Sequence, residues 1–425
     1  MSYKINRISL SKGIHFSSIT DPKFKHNRIS VCLVMPLEHD KASSNAIVPY
    51  VLRQGYKDCP SFTELNKKLC ELYGASIDAS VDKFGKYQLL SLAVSGIDNR
   101  FALGGEDIIG KCTELLCNVL LNPNMENGEF LGNEVELEKQ YLIDTIQAEI
   151  NDKRSYAKSR CKGIMCEGEA IAIKRFGYEE DVKAITNNTA AEAYDYIMQN
   201  AQIEFMFVGS GDPTFAMKTL KSNFADSNRT NVVEVEPVPY RPNVSKAKNI
   251  VETMDIVQAK MVLGFRVDEP KDERELAALR LMSALLGGTP VSLLFKNVRE
   301  KLSLCYYCVS GFDRNTGIMM IDSGIEDANK DKAYNEIFVQ IDALKKGSFT
   351  EDDLLHTKLI LGTSLKATTD SLPSVESWYL TQILRGTNVT PLEELTLLES
   401  ITKQDIVKMA QSIVLDTAYL LTSKA

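Results

Sequence analysis

Histidine is scarce in this chain. Its 425 residues hold four, His15, His26, His39 and His356, and no two lie within five positions of each other. That spacing excludes a pair of His ligands on one helical face, from which many catalytic zinc sites are built. Glu38-His39 is the nearest His–carboxylate pair, but adjacent residues on a strand face opposite ways. All four His read as surface or satisfied polar residues. A basic excess is lacking too: 49 Lys and Arg against 57 Asp and Glu give a net charge of −8. That balance disfavours nucleic acid and an anionic membrane surface as main partners. No apolar run reaches the ~18–20 residues that span a bilayer. The start, Met1-Ser-Tyr-Lys-Ile-Asn-Arg7, has no apolar core of the kind a secretion signal needs. The nine cysteines are odd in number, form no close framework and sit in apolar segments, which fits a reducing compartment. The expectation is a cytoplasmic protein with no nucleic-acid or membrane partner.

What the sequence does contain is an internal repeat. Ile185-Thr-Asn-Asn-Thr-Ala-Ala-Glu-Ala-Tyr, followed by Ile203-Glu-Phe-Met-Phe-Val, reads as a helix and then a strand. Ile401-Thr-Lys-Gln-Asp-Ile-Val-Lys-Met-Ala, followed by Thr417-Ala-Tyr-Leu-Leu-Thr, repeats the pattern 401 − 185 = 216 residues later. In each copy the Thr after Ile is placed to cap the helix. The β-branched run Arg28–Pro36 pairs with Ala259–Val267, each preceding a helix, over Ala46–Gln54 and Glu273–Leu286. The helical stretch from Glu134 pairs with that from Glu351. The predicted organisation is a first domain over residues 1–226, a polar, Pro-containing linker over 227–248, and a second domain over 249–425. Strands mixed with long helices, without strict alternation, favour an α+β class.

The most informative stretch is Leu285-Leu-Gly-Gly-Thr-Pro-Val-Ser-Leu-Leu-Phe-Lys-Asn-Val-Arg-Glu-Lys-Leu-Ser-Leu-Cys-Tyr-Tyr-Cys-Val-Ser-Gly311. It resembles the signature of the second half of the pitrilysin/insulinase-like (M16) metallopeptidase family: Leu-Gly-Gly, a Ser-Leu-Phe helix, Arg-Glu-Lys, then a Tyr-bearing strand. The resemblance places the family's Arg and Tyr at Arg299 and Tyr306, seven residues apart. It implies two homologous α+β domains, each a largely antiparallel sheet with helices layered on one face. It also implies that Arg299 and Tyr306 donate hydrogen bonds to a substrate or its oxyanion. The bland alternative is an Arg in a local ion pair and a Tyr packed in the core.

The family's zinc motif, His-x-x-Glu-His, is missing. Two flanks anchor its position: Asn45-Ala-Ile-Val, read as an upstream strand, and the helix from Phe62 with its Gly-containing turn. The motif then aligns to Pro49-Tyr-Val-Leu-Arg53, so Pro49, Leu52 and Arg53 stand where the family has His, Glu and His. The distal ligand position aligns to Thr145, with Asp144 beside it. Proline and leucine carry no ligand atom, and arginine stays protonated and repels a cation. The resemblance therefore points to a catalytically empty bacterial subgroup, found with a zinc-bearing sister chain.

Other motifs read as structure. Cys305-Tyr-Tyr-Cys308 lies in a strand-like run, where i and i+3 face opposite sides, which disfavours a redox or metal role. Cys112/Cys117 and Cys161/Cys166 read as core thiols. Gly287-Gly288 has no following Lys-Ser/Thr, so it reads as a helix C-cap with positive φ rather than a phosphate loop. Glu134-Val-Glu-Leu-Glu-Lys reads as a solvated helix face, with Glu136 and Gln140 as an i,i+4 pair.

The leading functional expectation is a substrate-binding subunit with no cofactor of its own. It would hold peptides in a clam-like chamber with a zinc-bearing sister subunit and supply Arg299 and Tyr306 to that partner's site. A homodimer is a further possibility. The alternatives are a structural scaffold with no part in peptide hydrolysis and, against the scarcity of His, a stand-alone hydrolase.

Overall fold

A computed structural model describes Tyr3, residues 5–225 and residues 229–424. Asp226, the last residue of the expected first domain, and Ser227 and Asn228, the first two of the expected linker, lie outside the described residues. From 229 to 247 the described chain forms neither helix nor strand. Among the described residues no helix is long and apolar enough to cross a membrane.

The chain groups into two compact units. The first comprises residues up to Gln147, Ile173–Pro237 and Thr369–Asn388; the second comprises Ala148–Ala172, Val238–Thr368 and Val389–Ala425. The sequence reading drew continuous halves. The units are instead discontinuous, each including one helical segment from the other half of the chain: Lys153–Met165 belongs to the second unit and Leu372–Leu384 to the first.

The first unit holds strands β1 (Asn6–Ser11), β2 (Ile14–Thr20), β3 (His26–Pro36), β4 (Ser76–Phe84), β5 (Tyr87–Ile97) and β6 (Gln202–Gly209). They form one sheet in the order β1-β2-β6-β3-β5-β4, antiparallel except for the parallel pair β2/β6. The second unit holds β7 (Lys248–Met254), β8 (Ala259–Arg266), β9 (Cys305–Asp313), β10 (Ile318–Ile325) and β11 (Val414–Ser423). Their order is β9-β10-β8-β11-β7, antiparallel except for the parallel pair β11/β7. The second order is the first one without a counterpart of β1. The repeat read from sequence is thus a repeat of topology, with β3 matching β8 and β6 matching β11.

Burial explains the strand sequences. Phe205 and Phe207 of β6 belong to the main core, whereas Met206 and Val208 pack with Val375 and Tyr379 of the helix Leu372–Leu384. A strand covered on both faces reads as a continuous apolar run rather than an alternation. In the second unit, Phe265 of β8 meets Phe338, with ring centroids 6.2 Å apart, while neighbouring Gly264 opens the other face to Cys161 and Met165. Each unit therefore has a helical layer on one face and a single helix across the other. The helices start where capping chemistry allows. Thr186 and Thr402 both accept a hydrogen bond from the backbone N–H three residues on, in a capping box.

Two sequence expectations change here. Asn45–Val48 lies inside the helix Ala42–Leu52, in keeping with the helix expected from Ala46 and not with the strand reading of the same segment; all four side chains pack inward from one short, almost wholly buried helix. Gly287 and Gly288 are not among the positive-φ glycines. They end a π-helical turn, Ala284–Gly288, that continues the helix Glu273–Ser283. A Cβ on Gly287 would stand 2.6 Å from the backbone nitrogen of Ser310, so close approach to β9, not a special φ, calls for glycine there.

Candidate functional site

In the first unit the degenerate zinc positions lie at the C-terminal end of the helix Ala42–Leu52. Pro49 and Leu52 are buried apolar contacts. Arg53 is the C-cap residue and points at a carboxylate: its Nη2 lies 3.6 Å from Oε1 of Glu138, which is 4 % exposed. Gln54 Nε2 donates to the same oxygen, and the Tyr50 ring lies 5.8 Å from the Arg53 guanidinium. Thr145 and Asp144, the aligned distal positions, turn back on their own helix. Thr145 Oγ1 donates to the Tyr141 carbonyl at 2.8 Å, and Asp144 Oδ1 accepts from Gln140 Nε2 at 2.8 Å.

Glu138 corrects the reading of Glu134–Lys139 as a solvated face. Val135, Glu138, Leu142 and Ile146 form the buried stripe of the helix Glu134–Asn151. Glu136 pairs with Lys139 at 2.9 Å, not with Gln140. The 3–4 spacing of that stripe was the signal that could have found Glu138. What fills the place is a built-in cation on a buried acid. The residues do not fit zinc: two of the three motif positions carry no ligand atom, and the third is a permanent cation. Among the described residues no group of three or more His, Cys, Asp or Glu could hold a metal ion. His15 pairs with Glu204 at 3.1 Å, His39 stacks on Tyr178 at 4.4 Å, and His26 and His356 are exposed.

In the second unit the helical signature is built in an unusual way. Phe295–Lys301 is a second π-helical segment, with Leu302 N–H reaching back to the Asn297 carbonyl at 3.2 Å. Such wide turns recur at functional sites. Ser303 then takes φ 51°, which reverses the chain into β9. This delivers Arg299 and Tyr306 to one cavity of about 370 Å³, lined also by Glu300, Cys305 and Glu326. Both heads are lightly held. Arg299 Nε is 3.5 Å from Glu300, its guanidinium lies 4.7 Å from the Phe295 ring, and its side chain is 42 % exposed. Tyr306 is 59 % exposed and donates to Glu326 Oε1 at 3.2 Å.

Tyr306 owes its exposure to a β-bulge. Cys305 stands opposite Ile325, Tyr307 opposite Gly324 and Cys308 opposite Ser323, so Tyr306 is the extra residue. The bulge also corrects the reading of Cys305 and Cys308. Ile325 and Ser323 are two apart on β10 and share a face, so the cysteines opposite them share one too. The two side chains act on each other. Cys308, ahead of the opposing effect of burial, holds the Cys305 thiol below the usual thiol value, while Cys305 and burial together push the Cys308 thiol well above it. Cys112, Cys117, Cys161 and Cys166 are buried, and burial raises all four thiols.

Known proteins resemble this chain in sequence and in fold. The model of the peptidase M16 inactive domain matches residues 184–361. The chain is similar to the Bacillus subtilis (strain 168) protein described as probable inactive metalloprotease YmfF, at 29% identity over 423 residues, covering 99% of this chain and 98% of that one. A conserved protein from Enterococcus faecalis V583 has the same fold, with a TM-score of 0.90 at 22% identity over 99% of both chains. A peptidase M16 inactive domain from Pseudomonas fluorescens does so with a TM-score of 0.80 at 13% identity over 99% of both chains.

Proposed function

We propose that this chain, which belongs to the M16 peptidase family and lacks that family's zinc ligands, is the non-catalytic, substrate-binding subunit of a heterodimeric zinc peptidase. It holds extended peptides in a clam-like chamber formed with a zinc-bearing sister chain in the cytoplasm. The observation that carries this reading is a contrast within one chain: in the first unit Arg53 and Glu138 fill the metal position, and in the second Arg299 and Tyr306 line a solvent-open pocket.

The chemistry follows from what the pocket offers. Peptide hydrolysis places negative charge on the scissile carbonyl oxygen, and a guanidinium and a phenol hydroxyl are donors suited to it. At rest both donors are occupied only by carboxylates at a partly exposed surface, Glu300 and Glu326, which a substrate can displace at small cost. β9 is an edge strand, along which an extended peptide would pair. Arg299 and Tyr306 would then act on a bond that the sister chain's zinc attacks.

The test is cleavage of a quenched-fluorescence peptide library by this chain with added zinc, by a zinc-bearing sister chain, and by the mixture. The expected result is no cleavage by this chain alone, and mixture activity that the double variant Arg299→Ala/Tyr306→Phe loses. Mixture activity indifferent to both substitutions would reduce the chain to a scaffold. Zinc-dependent cleavage by the chain alone would overturn the reading.

A further inference from the structure

We propose that Cys305 and Cys308 are a peroxide-responsive dithiol that closes to a disulfide and re-aims Tyr306, switching the Arg299/Tyr306 pocket between two states. The disulfide stands on the geometry of β9; its effect on peptide handling rests on the function proposed above.

The geometric argument turns on the bulge. In a regular strand, i and i+3 point to opposite faces and their Cα atoms lie about 10 Å apart, at ~3.3 Å per residue. No disulfide spans that distance. Here the two cysteines stand opposite residues only two apart on β10, so the span shrinks to about 6.6 Å. Disulfides bridge Cα atoms up to about 6.8 Å apart. The thiols share a face and act on each other's titration. Cys305 is half-buried and lines the open cavity, where a small oxidant reaches it, while Cys308 is 3 % exposed behind it. A reachable thiol held toward its thiolate, with a second thiol poised to resolve it, is the arrangement of redox-sensor cysteines. Arg299, in the same cavity, adds a positive field that favours the Cys305 thiolate.

The chemistry balances with hydrogen peroxide as oxidant. The Cys305 thiolate attacks one peroxide oxygen and the O–O bond breaks. Hydroxide leaves and is protonated to water, giving a sulfenic acid on Cys305. Cys308 then gives up its proton and attacks the Cys305 sulfur. The S–O bond breaks, a second water leaves, and the disulfide forms. Two thiols lose two electrons and one peroxide becomes two waters. Because Tyr306 is the residue the bulge expels, drawing Cys305 onto Cys308 tightens the bulge and turns the phenol away from its resting partner Glu326.

Cleavage after Lys301 and Arg314 puts both cysteines on one tryptic peptide, residues 302–314, so the disulfide itself is read on the unaltered chain. The full-length chain is treated with hydrogen peroxide, alkylated, digested and weighed. The expected result is a 302–314 peptide that lacks both alkyl groups and two hydrogens, is restored by dithiothreitol, and appears before oxidation at the buried cysteines. Amide exchange from Leu302 to Ser310 should slow in the oxidised chain. Cys308→Ala should instead accumulate a sulfenic acid on Cys305, trapped by dimedone. Full alkylation of both cysteines after peroxide, or sulfinic acid on Cys305 with Cys308 still free, would overturn the disulfide. Exchange unchanged on oxidation would overturn the switch. In the mixture with the zinc-bearing sister chain, turnover should change severalfold on oxidation and return on reduction. A mixture inactive in both redox states counts against the proposed function alone, because the disulfide and exchange readouts are made without a partner.

Discussion

The two units each put an arginine near the end of a helix in the repeat, and they use it in opposite ways. In the first, Arg53 faces Glu138, which is 4 % exposed. In the second, Arg299 stands in an open cavity against exposed Glu300. A buried carboxylate cannot release its cation cheaply, because the acid left behind would be desolvated and unpaired, at about 3–5 kcal/mol for a fully buried pair. An exposed pair is worth about 0–1 kcal/mol and exchanges partners freely. The same side chain is a fixed structural cation in one place and an available hydrogen-bond donor in the other. Burial of the partner decides which.

Four measurements would break or sharpen that contrast. The largest effect is expected from Tyr306→Phe, which should lower turnover by the mixture with a zinc-bearing sister chain about 10²-fold, the scale for losing one oxyanion donor. Its melting temperature should not move, since the hydroxyl meets only Glu326. Next, Arg53→Ala should destabilise the chain by about 2 kcal/mol in urea unfolding, below the fully buried range because Arg53 is partly exposed. Arg299→Ala should change stability by less than about 0.5 kcal/mol. Equal losses at the two arginines would remove the distinction. Gly287→Ala should cost about 1–2 kcal/mol, because the new methyl meets the Ser310 backbone rather than a side chain that can turn aside. It should also slow the mixture's turnover by displacing β9. The smallest effect is expected from zinc: its addition should leave the melting temperature of the chain unchanged. A saturable rise would mean that a ligand set forms where Arg53 and Glu138 now pair.

Much of the fold was legible. The Thr-capped helix and following strand recur at an offset of 216 residues, and the structure has both copies where the sequence suggests. The match of β3 with β8 was equally readable from β-branched runs. The exchange of the helices Lys153–Met165 and Leu372–Leu384 between units was not. A helix's apolar face names a surface that must be covered but not the sheet that covers it. Glu138 was missed because a Glu-rich stretch looks solvated until its spacing with Val135, Leu142 and Ile146 is counted.

What the sequence determined by itself was chemical identity. Pro49, Leu52 and Arg53 cannot be metal ligands in any fold, four dispersed His cannot form a helical pair, and Arg299 and Tyr306 are donors wherever they stand. What only the tertiary structure decided was direction. Period-2 alternation predicts that Cys305 and Cys308 diverge, and one extra residue set by pairing with β10 makes them converge and turns Tyr306 outward. Alternation is a local property of a strand, whereas a bulge is a mismatch in length between two strands whose register is fixed by distant contacts. No window along one strand contains that information.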